Sequence, residues 1–285
     1  MMEEQRELQH FILTRFNLLL WNKDKEGCSV RTEEWLAHRF SLFERFCLPS
    51  VRNQSCKDFE WIVLFDSQTP EDYQQKIAAY QETCPQLTPI FVDSSRGHLF
   101  ARIFRKEVVK RVNARRVITS YLDNDDALRK DYVEDLQRRA LTVTDGTFIN
   151  YTDGYQFYTD YRYLMQIHYP RNHFVSVVES GNTSTLKTIY GYGSHYYIVK
   201  IPHVKIENIE KCPMWCEVIH ERNMGNDAYF LLKTRMINDK DKLHHDFSID
   251  QSIESSVFLY VFVFLPRYAR TFLRRTKHRL FGRQW

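Results

Sequence analysis

The chain has 285 residues, 43% of them hydrophobic and 27% charged, which suits one large globular domain with an extension and excludes a disordered chain. Its net charge of +4 is uneven: residues 267–285 hold seven Arg or Lys and no acid, so residues 1–266 carry −3, the total less those seven. A mildly acidic body with a basic tail excludes a general affinity for nucleic acid. The six cysteines show no CxxC spacing and read as reduced thiols of a cytoplasmic protein.

The amino-terminal residues lack the basic start of a signal peptide, and no stretch approaches the roughly 20 apolar residues that span a bilayer. Phe11 to Phe16 reads as a first strand ending at Asn17. Thr32 opens a helix, with Glu33 and Glu34 in the first turn where carboxylates oppose the dipole. Trp35, Leu36, Phe40, Phe43 and Cys47 give it an apolar face, and Pro49 is expected to end it.

Trp61 to Phe65 is a continuous apolar run, the pattern of a parallel strand covered on both faces, and it stops at Asp66. A helix from Pro70 to about Thr83 follows, then a short strand from Thr88 to Val92 and a basic helix from Gly97 to Asn113. The strand Arg116 to Leu122 runs into Asp123-Asn124-Asp125-Asp126, and a helix is expected from about Lys130 to Leu141. Strand and helix thus alternate four times, which predicts a mostly parallel α/β sheet with helices on both faces.

The second half reads differently. Phe148–Tyr151, Phe174–Val178, Leu186–Tyr190 and Tyr196–Val199 look like short strands, giving a mixed sheet with aromatic loops. Residues 239–252 are polar and read as a loop or hinge. Nine apolar residues from Val257 to Leu265 lead into the basic tail, where Tyr268, Ala269, Phe272, Leu273, Leu280 and Phe281 share one helical face. Such a tail suits the headgroup layer of an anionic membrane; the alternative is a final helix packed on the domain.

Three carboxylates within four residues repel one another in a partly dry site. They read either as an Asp-rich cap of the next helix or as a site for Mg²⁺ or Mn²⁺ with a phosphorylated substrate. Asn17, Asp66 and Asp123 end successive strands on one rim, as a nucleotide pocket requires. Arg15 interrupts an apolar strand and so calls for a specific partner.

With these segments in view, the chain resembles glycosyltransferases of the GT-A fold. Residues 13–18 (LTRFNL), 35–51 (WLAHRFSLFERFCLPSV), 58–71 (DFEWIVLFDSQTPE), 122–128 (LDNDDAL) and 214–223 (MWCEVIHERN) together resemble a bacterial rhamnosyltransferase family. The resemblance implies a nucleotide-diphosphate sugar donor, possible transfer of rhamnose, a glycan or lipid-linked acceptor, and Mn²⁺ or Mg²⁺. It implies Asp125 as main metal ligand, Asp123 on the donor ribose or metal waters, Asp126 orienting the turn, and His220 as a late ligand. Asp66 would hold the base, Thr14, Arg15 and Asn17 the nucleotide floor, and Arg102 the diphosphate or sugar.

The reaction also needs a base for the acceptor hydroxyl; Glu179 is the first candidate, with Asp153 and Glu217 as alternates. Several of these residues also have structural readings. Asp66 also suits a helix cap, Arg102 a solvated basic face and His220 a satisfied strand end. Tyr190, Tyr192, Tyr196 and Tyr197 suit packing as well as sugar stacking.

The expected organisation is a GT-A-like domain over residues 1–238, with a donor half over about 8–128 and an acceptor half over about 129–238, and an extension over 239–285. The enzyme would lie peripherally on the inner face of the cytoplasmic membrane. The competing reading is a membrane-associated interaction protein with a non-catalytic nucleotide-sugar-like fold. A glycosidase is disfavoured because its two carboxyls must flank the bond. A nucleotidyltransferase is disfavoured by the lack of a Gly-rich, Lys-bearing loop.

Overall fold

A computed structural model describes residues 5–20, 32–220 and 234–254, together with eight single positions between 258 and 273. The first strand, β1 (Arg6–Arg15), is followed by helix α1 (Glu33–Leu42), whose start is capped by the Thr32 side chain accepting from the Trp35 N–H. The expected stop at Pro49 does not occur. A π turn over Phe43–Cys47 leads into α2 (Leu48–Arg52), where Pro49 sits in the first turn and its missing N–H costs little.

The chain continues through β2 (Glu60–Asp66), α3 (Glu71–Thr83) and β3 (Leu87–Val92). A 3₁₀ turn over Ser94–Leu99 precedes α4 (Phe100–Arg111), so the expected basic helix begins later and more tightly wound. Then come β4 (Ala114–Tyr121), β5 (Ala127–Leu128), α5 (Tyr132–Ala140), β6 (Thr147–Tyr151), β7 (Asp153–Tyr158), β8 (Tyr163–His168) and β9 (Val175–Ser180). The last elements are α6 (His195–Ile198), β10 (Lys205–Ile209), β11 (Trp215–Ile219), β12 (Arg235–Met236) and α7 (Lys242–Phe247).

The main sheet has seven strands in the order β10-β6-β9-β4-β1-β2-β3. β4, β1, β2 and β3 pair in parallel, as does β10 with β6, while β9 runs antiparallel to both β4 and β6. The strand order reverses between β1 and β4, and such a switch point opens a crevice at the carboxyl ends of the strands. A second sheet, β12-β8-β7-β11-β5, stands beside that rim.

Alternate residues of the central strands bury on opposite faces, as the two-residue period requires. Ile12, Trp61, Val63 and Ile118 pack with the α1–α2 helix, α3 and α5. Phe11, Leu13, Ile62, Leu64 and Val117 pack with Phe104 and Val108 of α4. The second sheet contributes Trp215, which stacks on Phe174 at 4.7 Å.

Three segments of the second half differ from their sequence pattern. Leu186–Tyr190 is not a strand: the N–H groups of Lys187 and Thr188 donate to the Glu179 carboxylate and that of Ile189 to the Thr119 hydroxyl. With those side-chain acceptors the segment has no need of a strand neighbour, and it closes in a 3₁₀ turn at Ile189–Tyr192. Tyr196–Val199 falls in the single turn of α6 rather than in a strand. Within 239–252 lies α7, whose Leu243 and Phe247 join Ile249 and Ile253 against Phe46 and Phe157. Two apolar residues four apart are too few to announce an amphipathic helix in the sequence.

Beneath the crevice a buried polar chain crosses the sheet. His10 Nε2 lies 2.8 Å from Ser120 Oγ, which lies 2.7 Å from Ser176 Oγ, and the Tyr132 hydroxyl lies 3.1 Å from Ser176. Burial lowers the His10 imidazole to about 3, so the ring stays neutral when folded. The unfolded chain takes up a proton near pH ~6.5, so stability present above that pH is lost as pH falls towards the folded value. Urea titrations from pH 7 to 4 should show a loss from this residue of up to about 1.4 kcal/mol per pH unit, absent in His10→Asn.

Candidate metal and nucleotide site

The crevice is a cavity of about 1160 Å³ at the carboxyl ends of β1, β2 and β4. Its walls include Arg15, Asn17, Asp66, Thr69, Asp123, Asp125, His173, Tyr190 and His195. The acidic turn enters it directly from β4, and the three carboxylates point to three different partners.

Asp123 is the most exposed of the three and lies 3.5 Å from the Arg15 guanidinium. Arg15 is itself held between the Phe100 and Tyr190 rings, 4.9 and 5.3 Å from their centres. Asp125 is buried, and its Oδ2 accepts from Arg39 Nη1 at 2.6 Å and faces His220 Nε2 at 3.0 Å. Burial pushes the Asp125 carboxyl up, but the Arg39 charge and His220 outweigh it and hold the group well below its ordinary range.

Asp126 is buried deepest. One oxygen accepts from the Val218 N–H of β11 at 2.9 Å and the other lies 2.7 Å from His173 Nε2. Burial lowers the His173 imidazole, but the hydrogen bond and charge of Asp126 reverse this and raise it above its usual value. Burial also raises Asp126, so the pair holds a proton tightly.

Asp123, Asp126 and His173 present one ligand atom each within 4.8 Å of one another. Two carboxylates with an imidazole suit Mn²⁺ more closely than Mg²⁺, which prefers oxygen throughout. These three residues could hold a divalent ion once the proton shared by His173 and Asp126 has left, because an imidazolium has no lone pair to offer. Asp125 and His220, expected as metal ligands, lie together, and Asp125 Oδ2 is engaged by Arg39.

Another wall of the cavity is built on Asp66. Its backbone N–H donates to Asn17 Oδ1, its carboxylate accepts from the Ser94 hydroxyl at 2.7 Å and from the Gln68 N–H, and Asn17 donates to Thr69 Oγ1 at 2.9 Å. Asn17, Asp66, Asp123 and Arg15 thus share one rim. Thr14 does not face it: the side chain is buried on the α1 side of the sheet and accepts from the Trp61 indole N–H at 2.8 Å. Arg102 is exposed on α4, outside the cavity wall.

The proposed bases also lie outside the cavity wall. Glu179 pairs in register with Val117, at the amino-terminal part of β4. Because β9 is antiparallel, its end lies at the rim opposite the acidic turn, and its carboxylate takes the Lys187 and Thr188 N–H groups and the Tyr192 hydroxyl. Asp153 accepts from Thr152 and lies 3.2 Å from His168 Nδ1. Glu217 is buried and accepts from Gln156 at 2.6 Å.

The same strand direction explains His173, which sequence reasoning missed. Ser120 lies opposite Ser176, and following that register past the strand ends brings residue 173 beside residue 123. Arg39 was missed as well, because on a helical wheel it is merely one polar residue among apolar ones.

Residues 9–230 match the family described as "putative rhamnosyl transferase". The chain belongs to this family. Curated proteins gave no match. Among solved structures, S. aureus TarS in complex with UDP is 8% identical, with 74% of this chain and 60% of that chain covered and a TM-score of 0.45. A structure titled as a putative nucleotide-diphospho-sugar transferase from Desulfovibrio desulfuricans is 10% identical, covering 73% and 82% at a TM-score of 0.36. Mouse xyloside xylosyltransferase 1 is 10% identical, covering 70% and 78% at 0.35. The chain thus spans about three fifths of the TarS fragment it matches. The mostly parallel main sheet with helices on both faces is the mixed α/β architecture expected from the sequence.

The different surroundings of the three carboxylates give a direct test. Asp126→Ala removes the partner of a buried His173 and of the Val218 N–H, and should cost about 3–5 kcal/mol in urea unfolding. Asp123→Ala, more exposed and loosely paired, should change stability by less than about 1 kcal/mol.

Proposed function

We propose that the chain is a metal-dependent glycosyltransferase. It would move a sugar from a nucleoside diphosphate to a glycan or lipid-linked acceptor in cell-surface polysaccharide synthesis. Rhamnose, the sugar in the family's description, is the donor sugar of this reading. The observation that carries it is that Asp123, His173, Asp66 and Arg15 line one cavity at the strand-order switch, with Asp126 buried against the first two.

In this reading Asp123, Asp126 and His173 hold Mn²⁺ or Mg²⁺, which supplies positive charge to the leaving diphosphate. Arg15, fixed between two rings, places a further cation on the same wall. Asp66, oriented by Ser94 and Asn17, accepts an N–H from the nucleobase. Asp125 is kept from the ion by Arg39 and, with His220, braces the turn. The acceptor oxygen bonds to the anomeric carbon, the bond to the diphosphate breaks with its electron pair, and the acceptor proton passes to a base. Glu179 and Asp153, engaged elsewhere, are not assigned that proton.

The division into a donor half to about residue 128 and an acceptor half to about 238 is part of this proposal. Among the described residues no helix is long and apolar enough to cross a membrane. Most of the basic tail lies outside the described residues, but Phe258, Phe262 and Leu273 are well exposed. We assign this segment to an anionic membrane surface, the peripheral inner-face location expected from its charge.

Isothermal titration should show a nucleoside diphosphate binding with Mn²⁺ at least about tenfold more tightly than without it, a difference of roughly 1.4 kcal/mol. Asp123→Asn should abolish hydrolysis of the cognate nucleotide sugar while the fold persists. Metal-independent binding, or no binding of any nucleoside diphosphate, favours the non-catalytic interaction protein instead. Removing residues 267–285 should release the protein from anionic liposomes without affecting nucleotide binding; undiminished sedimentation with those liposomes contradicts the membrane assignment.

A further inference from the structure

The acidic turn is cradled along its length by one continuous helical element, α1 through α2. Arg39 reaches Asp125 and also lies 3.3 Å from Asn124 Oδ1. The Cys47 thiol approaches the Asp123 carbonyl at 3.6 Å, and Ser50 Oγ accepts the Leu128 N–H at 3.2 Å. Gln54 donates to the Arg129 carbonyl at 2.8 Å and accepts the Val133 N–H at 3.0 Å. Of these contacts Arg39 alone brings a formal charge, and it is buried together with the carboxylate it meets.

We infer that Arg39 is a positioning residue that sets the charge of the metal and diphosphate site. By pairing with Asp125 it removes one negative charge from the cavity. By holding Asn124, whose amide donates to the Phe16 carbonyl at 2.7 Å, it fixes the turn against the end of β1. The turn then brings Asp123 and Asp126 towards His173, while Asp125, also at the cavity wall, is neutralised by its ion pair. Its charge on the cavity decides how two opposite requirements are met. A divalent cation binds better the more carboxylates are free, whereas an anionic diphosphate binds worse. Arg39 holds the balance between them.

The Trp35 ring, 5.6 Å from the Arg39 guanidinium, and His220 on the same Asp125 oxygen complete the enclosure. Arg39 Nη1 alone reaches both Asn124 and Asp125, so a Lys ammonium at position 39 would keep the compensating charge.

This inference rests on the site being one for a metal and a nucleoside diphosphate, and its test separates the two. Mn²⁺ alone and UDP alone are titrated into the wild type, Arg39→Met, Arg39→Lys and the double variant Arg39→Met with Asp125→Asn, with thermal unfolding of each followed in parallel. Arg39→Met should bind Mn²⁺ about tenfold more tightly and UDP about tenfold more weakly, since an uncompensated carboxylate acts on the two with opposite sign. The double variant should return both affinities to within about threefold of wild type, and Arg39→Lys should leave them nearly unchanged in sign and size.

If Arg39→Met weakens both ligands together, or if the double variant is no closer to wild type than the single one, Arg39 serves only the fold and the inference fails. If Arg39→Met does not fold, the double variant and Arg39→Lys still decide: wild-type-like affinities in both support charge compensation, and loss in both overturns it. If the wild type binds neither Mn²⁺ nor UDP while a different nucleoside diphosphate binds with metal, the titrations are run with that nucleotide. If it binds none, the proposed function fails, and with it this inference.

Discussion

Three carboxylates in four residues must be kept from repelling one another, and the structure does so by giving each a cation from a different element. Asp123 faces Arg15 from β1, Asp125 meets Arg39 from α1, and Asp126 meets His173 from the segment before β9. Burial makes the Asp125 and Asp126 pairings matter most, because an uncompensated charge in a low-dielectric site costs several kcal/mol. The turn is therefore a meeting point, and the elements around it are fixed by what they must deliver there.

That requirement accounts for several otherwise separate features. The antiparallel placement of β9 within a largely parallel sheet brings the start of that strand, and so His173, to the working rim. The π turn between α1 and α2 keeps one helical element alongside residues 123–133. The second sheet supplies the Val218 N–H and His220 from β11. Trp215, stacked on Phe174, packs this sheet next to His173. The buried His10, Ser120, Ser176 and Tyr132 chain ties β1, β4, β9 and α5 together directly below.

The first half was largely legible in the sequence, because parallel strands covered on both faces leave uninterrupted apolar runs and end in polar residues. Asn17, Asp66 and Asp123 stand out this way and Arg15 as a charge interrupting such a run, and the four share a rim. The second half was less legible, because what decides it is strand direction, which a single sequence does not encode. Glu179 follows an apolar strand just as Asp66 and Asp123 do, yet its strand runs the other way and carries it to the far rim. His173 precedes the same strand and so arrives at the site. Leu186–Tyr190 looks like a strand from its Thr, Ile and Tyr, but its backbone N–H groups are satisfied by the Glu179 and Thr119 side chains. Thr14 alternates to the opposite face from Arg15, which the two-residue period foretold but the family resemblance obscured.

The central claim is that Asp123, Asp126 and His173 together take a divalent ion in the cavity. Substoichiometric Mn²⁺ added to protein labelled with ¹⁵N in histidine rings tests it most directly, because the ion broadens only nearby resonances. The account predicts selective loss of the His173 ring signals, with His195 next affected and the distant, buried His10 left sharp. Equal broadening of all histidines, or a His173 signal that persists while others vanish, would contradict it.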